Sequence, residues 1–301
     1  MKYSFIYPLL IVLASSSYGI LSTIIKVAMG HGFTSQEAVT SQYVIGFLLI
    51  LILFLITQKT FPKLNKRALL IIVGAGLFTG TTGIVYGESL NYLPASLAVV
   101  LLFQFTWIGM LIDCIIRKRY PSKAEGTGLV FLFLGTILAA GLIDVNLSNI
   151  PWQGWVFGFA AAVSFAIFIQ FNSLPVEGVT TIARTMMMSF IALIIVSIFL
   201  SPEIIWNGKL FGENLWLYGL ILGFFGIIFP IQLFSIAAPK VGGGLTSILS
   251  ATELPVAVLA SVVVLHESLS ILQIIGILLV LTGMILPTVI AQRKNSDLYN
   301  I

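Results

Sequence analysis

The chain has 301 residues, 58% hydrophobic and only 9% charged, with a formal net charge of +4. Soluble domains carry about 25% charged residues, so the composition excludes an ordinary soluble domain and indicates a polytopic membrane protein. The single cysteine, Cys114, excludes an intramolecular disulfide and a cysteine metal cluster, and His31 and His266 are too far apart for a metal motif.

A membrane-spanning helix needs about 20 mostly apolar residues. Ten segments qualify, so the expected fold class is an all-α polytopic membrane protein with ten transmembrane helices. The first covers about 5–27 and carries Ser15, Ser16, Ser17 and Tyr18. Its start, with Lys2 before an apolar run and Ala14-Ser15-Ser16 after it, has features of a secretory signal. The run continues to Val27, however, beyond the roughly 7–15 residues of a signal core. Lys26 reads as a side chain that snorkels to the outer interface.

The second segment covers about 36–57 and the third about 68–90, the latter with Thr79, Thr81, Thr82, Tyr86 and Glu88. Glu88 is close to the outer boundary, where a solvated position and a gating pair with Lys26 are both open readings. In the fourth, about 94–116, Trp107 follows Gln104 by three residues and shares its helix face. Gln104 is a candidate for orienting a substrate, and Trp107 for a cavity wall or a cation–π contact. The alternatives are an interhelical hydrogen bond for Gln104 and lipid-facing packing for Trp107. The fifth segment, about 124–143, carries Gly128 and Gly135.

The sixth, about 152–173, holds Ser164, Phe165 and Gln170; the seventh covers about 180–200, with Arg184 near its start. Arg184 and Asp113 both read as interface anchors. The eighth, about 214–238, contains Pro230, which cannot donate to the Gly226 carbonyl, and Gln232 nearby. The ninth, about 243–264, places Thr252 and Glu253 just before Pro255. The tenth covers about 269–290 with Gly276 and Gly283, and a short cytoplasmic tail follows from about 291.

Basic residues set the orientation. With both termini cytoplasmic, 13 of the 15 Lys and Arg fall inside, and only Lys26 and Lys209 fall toward the outside. The basic clusters are therefore topology determinants, and no nucleic-acid partner is expected.

A shift of 148 residues places Gly128 on Gly276, Gly135 on Gly283, Leu97 on Leu245 and Tyr86 on Phe234. A shift of 147 places Ser17-Tyr18 on Ser164-Phe165. The chain reads as two five-helix units, 1–148 and 149–301. Five is odd, so the second unit enters the membrane from the opposite side, an inverted repeat of the kind used by many secondary transporters. The repeat sets Gln104 and Phe105 opposite Thr252 and Glu253 at matching depth, and Tyr18 opposite Phe165.

The motifs that end the two halves are Tyr92-Leu-Pro-Ala-Ser-Leu-Ala98, and Glu253-Leu-Pro-Val-Ala257 followed by Leu265-His-Glu-Ser-Leu269 and Gln273-Ile-Ile-Gly276. With them the chain resembles the EamA-type members of the drug/metabolite transporter superfamily over essentially its whole length. The resemblance implies ten spans in two inverted halves, a central cavity, and transport, commonly export, of amino acids, other small metabolites or drugs. It implies that the glycine faces of the fifth and tenth spans pack together away from the cavity. The acidic residue usual at the end of span nine is Glu267; its counterpart after span four is Arg119, so the halves differ chemically there.

Glu253 is the sharpest feature. A charge at the centre of a span costs about 2.5–3.5 kcal/mol on insertion scales. Such a residue faces a bundle interior or a wet cavity. It either binds a cationic group or carries a proton, or it is a protonated acid bonded to a neighbouring helix. Pro255 leaves the Ala251 carbonyl without its donor, which makes a polar spot beside Glu253. Around it, Tyr18, Phe165, Tyr86, Gln104, Trp107, Thr252 and Gln232 are the candidate substrate-binding residues, with spans one, three, four, six, eight and nine lining the cavity.

The chain contains no G-x-x-x-x-G-K-[ST] nucleotide motif, and neither enzymatic activity, cofactor nor metal is expected. The expected partners are the lipid bilayer and a small-molecule substrate; oligomeric state is open. The reading is a secondary active exporter in the cell membrane, working by alternating access, with Glu253 as the proton-coupling candidate. A multidrug exporter of lipophilic cations is the alternative, and a non-transport membrane scaffold a third.

Overall fold

A computed structural model describes residues 6–58, 60–93, 95–139, 150–200, 202–266 and 269–298, with Ala95, Ser96 and 291–298 as backbone only. Lys2, Lys59, Pro94, Glu267 and the repeat boundary near 148 lie outside the described residues. Helices run in the order α1 (Ile6–Gly19), α2 (Leu21–Gly30), α3 (Ser35–Thr57), α4 (Lys66–Ser89), α5 (Ala95–Leu102), α6 (Phe105–Ile116) and α7 (Lys123–Ala139). They continue as α8 (Trp152–Asn172), α9 (Thr181–Leu200), α10 (Lys209–Gly212), α11 (Leu215–Gly223), α12 (Phe229–Val241), α13 (Gly243–Leu249), α14 (Glu253–Leu265) and α15 (Ile271–Leu298). α15 thus carries the region after 290 as helix through Leu298.

Among the described residues, nine helices or broken helix pairs are long and apolar enough to cross a membrane. The chain is therefore a multi-pass membrane protein. α7 stands outside that set, being described over 17 residues up to Ala139.

The helix starts are written locally. Thr34 and Glu37 form a capping box at α3, with Glu37 N donating to Thr34 Oγ1 at 3.1 Å and Thr34 N to Glu37 Oε2 at 2.9 Å. Asn65 caps α4 through Ala68 N at 2.7 Å. Ser122 with Glu125, and Ser270 with Gln273, make the same reciprocal bonds before α7 and α15. These two boxes are 148 residues apart, as are the glycines inside the two helices.

Small residues then set the packing. A Cβ on Gly128 would lie 2.6 Å from Gly283 O, and one on Gly135 would lie 2.8 Å from Gly276 O. The contacts are reciprocal, because Gly128 corresponds to Gly276 and Gly135 to Gly283. Gly76 and Gly80 seat α4 against the carbonyls of Met188 and Ala192 on α9, while Gly219 and Gly223 seat α11 against α3. A Cβ on Gly87, at the end of one G-xxx-G spacing, would meet nothing within 4 Å among the described residues.

Three long helices are interrupted. The break between α1 and α2 falls at Ile20, and the next intrahelical bond runs from Ile24 N to Ile20 O at 3.1 Å. α5 and α6 break at Phe103–Gln104, and α13 and α14 are joined by a 3-10 turn at Ser250–Thr252. The last two breaks coincide under the 148-residue shift. Between α11 and α12 lies a π turn at Phe224–Ile228, with no counterpart in α4.

Candidate functional site

Where these interruptions meet, a cavity of about 130 Å³ opens inside the helices. α1 crosses α14 there in backbone contact: a Cβ on Gly19 would lie 2.5 Å from Glu253 O. Only glycine permits that approach, and both Gly19 and Glu253 line the cavity. Tyr18, Tyr86 and Phe165 line the same cavity. Both tyrosines are near enough to Glu253 to interact with it electrostatically. Among the described residues, nothing hydrogen-bonds the Glu253 carboxyl.

One side of the cavity is closed by aromatic rings in a circuit. Tyr18 meets Phe165 edge-on at 5.9 Å between centroids, and Phe165 stacks on Phe168 at 5.6 Å. Phe168 meets Phe234 at 6.1 Å, and Phe234 returns to Tyr18 at 6.1 Å. These separations fall within the range in which aromatic pairs attract beyond simple area burial. Phe168 and Phe234 are fully buried.

Beyond the rings the helices close tightly. Gln170 on α8 donates to Gly109 O on α6 at 2.8 Å and packs on Gly243, while Ser247 packs on Gly109. At that end Asp113, 5% exposed in its side chain, receives Arg117 Nε at 2.9 Å and Arg119 Nη2 at 2.8 Å. Arg119 also bonds Glu125, and these two carboxylates hold the guanidinium above its ordinary pKa. Asp113 is thus a buried hub of this cluster, which abuts Gly244 in the first turn of α13. Arg184 is buried too, not anchored at an interface. It donates to the carbonyls of Phe171, Asn172 and Leu174, where the negative end of the α8 dipole favours a cation.

Toward the opposite end the cavity is continued by a second one of about 260 Å³, lined by Lys26, Met29, Leu90, Ser261 and Gln273. The two share Ser22, Ile25, Tyr86, Val99 and Ala257. The two cavities therefore adjoin on the Lys26 side of Glu253, while toward Arg119 the helices pack closely.

Other sequence-derived candidates sit elsewhere. Trp107 Nε1 donates to Gln104 Oε1 at 2.8 Å, and Gln104 Nε2 donates to Val100 O at 2.9 Å. This pair lines a separate groove against Val130 and Phe133 of α7. Thr252 is buried, bonds Leu249 O and lies 3.4 Å from Met284 Sδ. Gln232, half-buried on α12, does not line the Glu253 cavity. Glu88 bonds Gln36 Nε2 at 3.2 Å and Asn91 Nδ2 at 3.1 Å.

Sequence reasoning missed α3 as a cavity wall. Val39, Gln42 and Tyr43 line the space, and Tyr43 Oη donates to Thr79 O at 2.8 Å. The signal was available: Thr40-Ser41-Gln42-Tyr43 is a polar run inside an otherwise apolar span.

The EamA-like transporter family matches over residues 5–141 and again over 152–289. A solved crystal structure, described only as that of a protein, has a similar fold, with a TM-score of 0.71 at 15% identity over 96% of this chain and 97% of the other. No curated protein matches the sequence.

Proposed function

The chain belongs to the EamA-like transporter family, and from that premise we propose that it is a secondary active exporter of amino acids or related small metabolites. In this reading ten helices span the cell membrane as two inverted five-helix repeats, 1–148 and 149–301, with both termini cytoplasmic. The halves rock about the cavity and expose it to each side in turn. The observation that carries the reading is Glu253: a carboxyl without a hydrogen-bond partner among the described residues, on the wall of an internal cavity that adjoins a second one toward Lys26.

Cavity size supports a small solute. About 130 Å³ is less than the roughly 300–1,000 Å³ of clefts that hold drug-sized ligands. The alternative, a lipophilic-cation exporter, draws support from the aromatic walls beside one acid. Glu253 serves as the proton-coupling group. In proteoliposomes, solute flux driven by a pH gradient is expected to lose that dependence in Glu253→Gln. Flux that keeps its full pH-gradient dependence in the variant removes this role.

A further inference from the structure

Two hydrogen bonds cross between the halves of the chain, and the repeat relates them. Ser17 on α1 donates to Phe225 O in the π turn at 2.9 Å, and Ser164 on α8 donates to Phe78 O on α4 at 3.0 Å. Ser17 and Ser164 are 147 residues apart, and so are Phe78 and Phe225. The next residues along, Tyr18 and Phe165, are counterparts under the same shift and meet each other edge-on at 5.9 Å. Reciprocal contacts of this kind mark a twofold relation, and its axis passes where Tyr18 meets its own counterpart. The crossed glycines of α7 and α15 mark the same relation.

Past this point the halves differ. Gly76 and Gly223 are still 147 residues apart, whereas Tyr86 and Phe234 are 148 apart. The extra residue falls in the π turn Phe224–Ile228, whose bond from Phe229 N to Phe224 O encloses one residue more than an α turn. Phe234 stacks on Tyr18 at 6.1 Å. Its helix runs on to Gly242, where a Cβ would lie 2.7 Å from Arg117 Nη2. Its counterpart Tyr86 makes no ring contact among the described residues. Tyr86 instead lines both the Glu253 cavity, as Phe165 does, and the cavity that holds Lys26.

We infer that Tyr86 is the gate of the Lys26 side: when the halves exchange conformations, Tyr86 closes on Phe165 as Phe234 leaves Tyr18, while Ser17 and Ser164 keep their bonds as the pivots. The inference rests on the rocking proposed above and names the residues that move and those that stay. Symmetry separates them. A contact made alike by both halves survives the exchange, so the two serine bonds and the Tyr18–Phe165 edge remain. A contact made by one half only passes to the other, so the ring that now covers Tyr18 is matched by one that comes to cover Phe165.

Single cysteines in a Cys114→Ala background test this in lipid nanodiscs, where a maleimide reaches both faces. Thr246→Cys, at a fully buried position on α13, reports opening on the Arg119 side. Ser261→Cys, on the second cavity, reports opening on the Lys26 side. Tyr86→Ala is expected to slow the reaction of Thr246→Cys about threefold or more, the scale of one lost aromatic pair, with Ser261→Cys as fast as before or faster. Tyr86→Phe should keep both wild-type rates, since the ring is the gate. Phe234→Ala should do the reverse of Tyr86→Ala, speeding Thr246→Cys and slowing Ser261→Cys. Ser17→Ala and Ser164→Ala should leave the ratio of the two rates within about twofold, because the lost bond belongs to both states. General loosening of the fold would speed the buried reporter in every variant, the opposite of the change expected for Tyr86→Ala. A Thr246→Cys rate that is unchanged or faster in Tyr86→Ala overturns the gate, and a threefold change of ratio in either serine variant overturns the pivots. If no variant, Phe234→Ala included, moves either reporter, the rocking itself is refuted.

Discussion

At the residue scale, Pro230 illustrates how a sequence signal is displaced by a few atoms. In a regular α-helix its missing N–H would face Gly226 O. The π turn alters the register: Phe229 N reaches back to Phe224 O, and the next N–H is absent at Pro230. Phe225 O is then left for the Ser17 hydroxyl on α1, at 2.9 Å, a contact that Ser17 shares with Ala14 O at 2.7 Å. Ser17→Ala strands that carbonyl and is expected to lower stability by about 1–3 kcal/mol, read from thermal unfolding in detergent. A midpoint equal to wild type removes the proposed capping role. The same logic applies at Asp113, whose carboxylate joins Arg117 and Arg119. Asp113→Asn should cost about 1.5–3 kcal/mol, the range for hydrogen bonds to charged groups, with the larger loss at low salt because Arg119 is partly exposed. Pro230 and Glu253 were legible in the sequence. Gln42 was passed over although it stands in the polar run Thr40-Ser41-Gln42-Tyr43 of an otherwise apolar span.

At the element scale, the seam between α7 and α15 was legible and the breaks were not. Glycines seven residues apart fall on one helix face, and two such pairs 148 residues apart name both faces of the contact. The capping boxes at Ser122 and Ser270 fix the helix starts that bring those faces into register. Interruptions at Ile20 and Phe103–Gln104 have no proline within them; the first falls beside Gly19, where α1 crosses α14 at backbone distance, which is a tertiary fact. Gln104 and Trp107 show the consequence. The repeat matched their depth with Thr252 and Glu253, but depth does not fix rotation, and the α5–α6 break turns Gln104 toward α7. The seam makes a sharp prediction. A Cβ at Gly128 meets backbone at 2.6 Å, whereas one at Gly126 meets nothing within 4 Å. Gly128→Ala should lose about 1–3 kcal/mol through overpacking, while Gly126→Ala stays level or gains slightly. Equal unfolding midpoints for the two variants would mean that the seam does not hold the helices.

At the scale of the whole molecule, charge and access belong to one argument. The basic residues concentrate at the end where Arg119, Asp113 and Glu125 close the helices, while the cavity around Glu253 adjoins the one that holds Lys26. In the orientation proposed above, the first end is cytoplasmic, and the proposed alternating access would make this the state closed inward. Exposed side chains on the two ends offer independent reporters. Glu213 and Lys123 are both exposed, and Ser261 lines the second cavity. Cys114 is buried and is the sole native thiol, so a Cys114→Ala background permits single-cysteine labelling. With a membrane-impermeant maleimide on intact cells, Glu213→Cys is expected to react at once. Ser261→Cys should react as well, because it reports access to the cavity and not only the side of the loop. Lys123→Cys should react only after permeabilisation. Labelling of Lys123→Cys and not Glu213→Cys from outside reverses the orientation. If Glu213→Cys reacts and Ser261→Cys does not, the orientation stands and the resting state in cells is the one closed outward. The proposed rocking would then have to break the circuit of Tyr18, Phe165, Phe168 and Phe234, which lies between Glu253 and the Arg119 end.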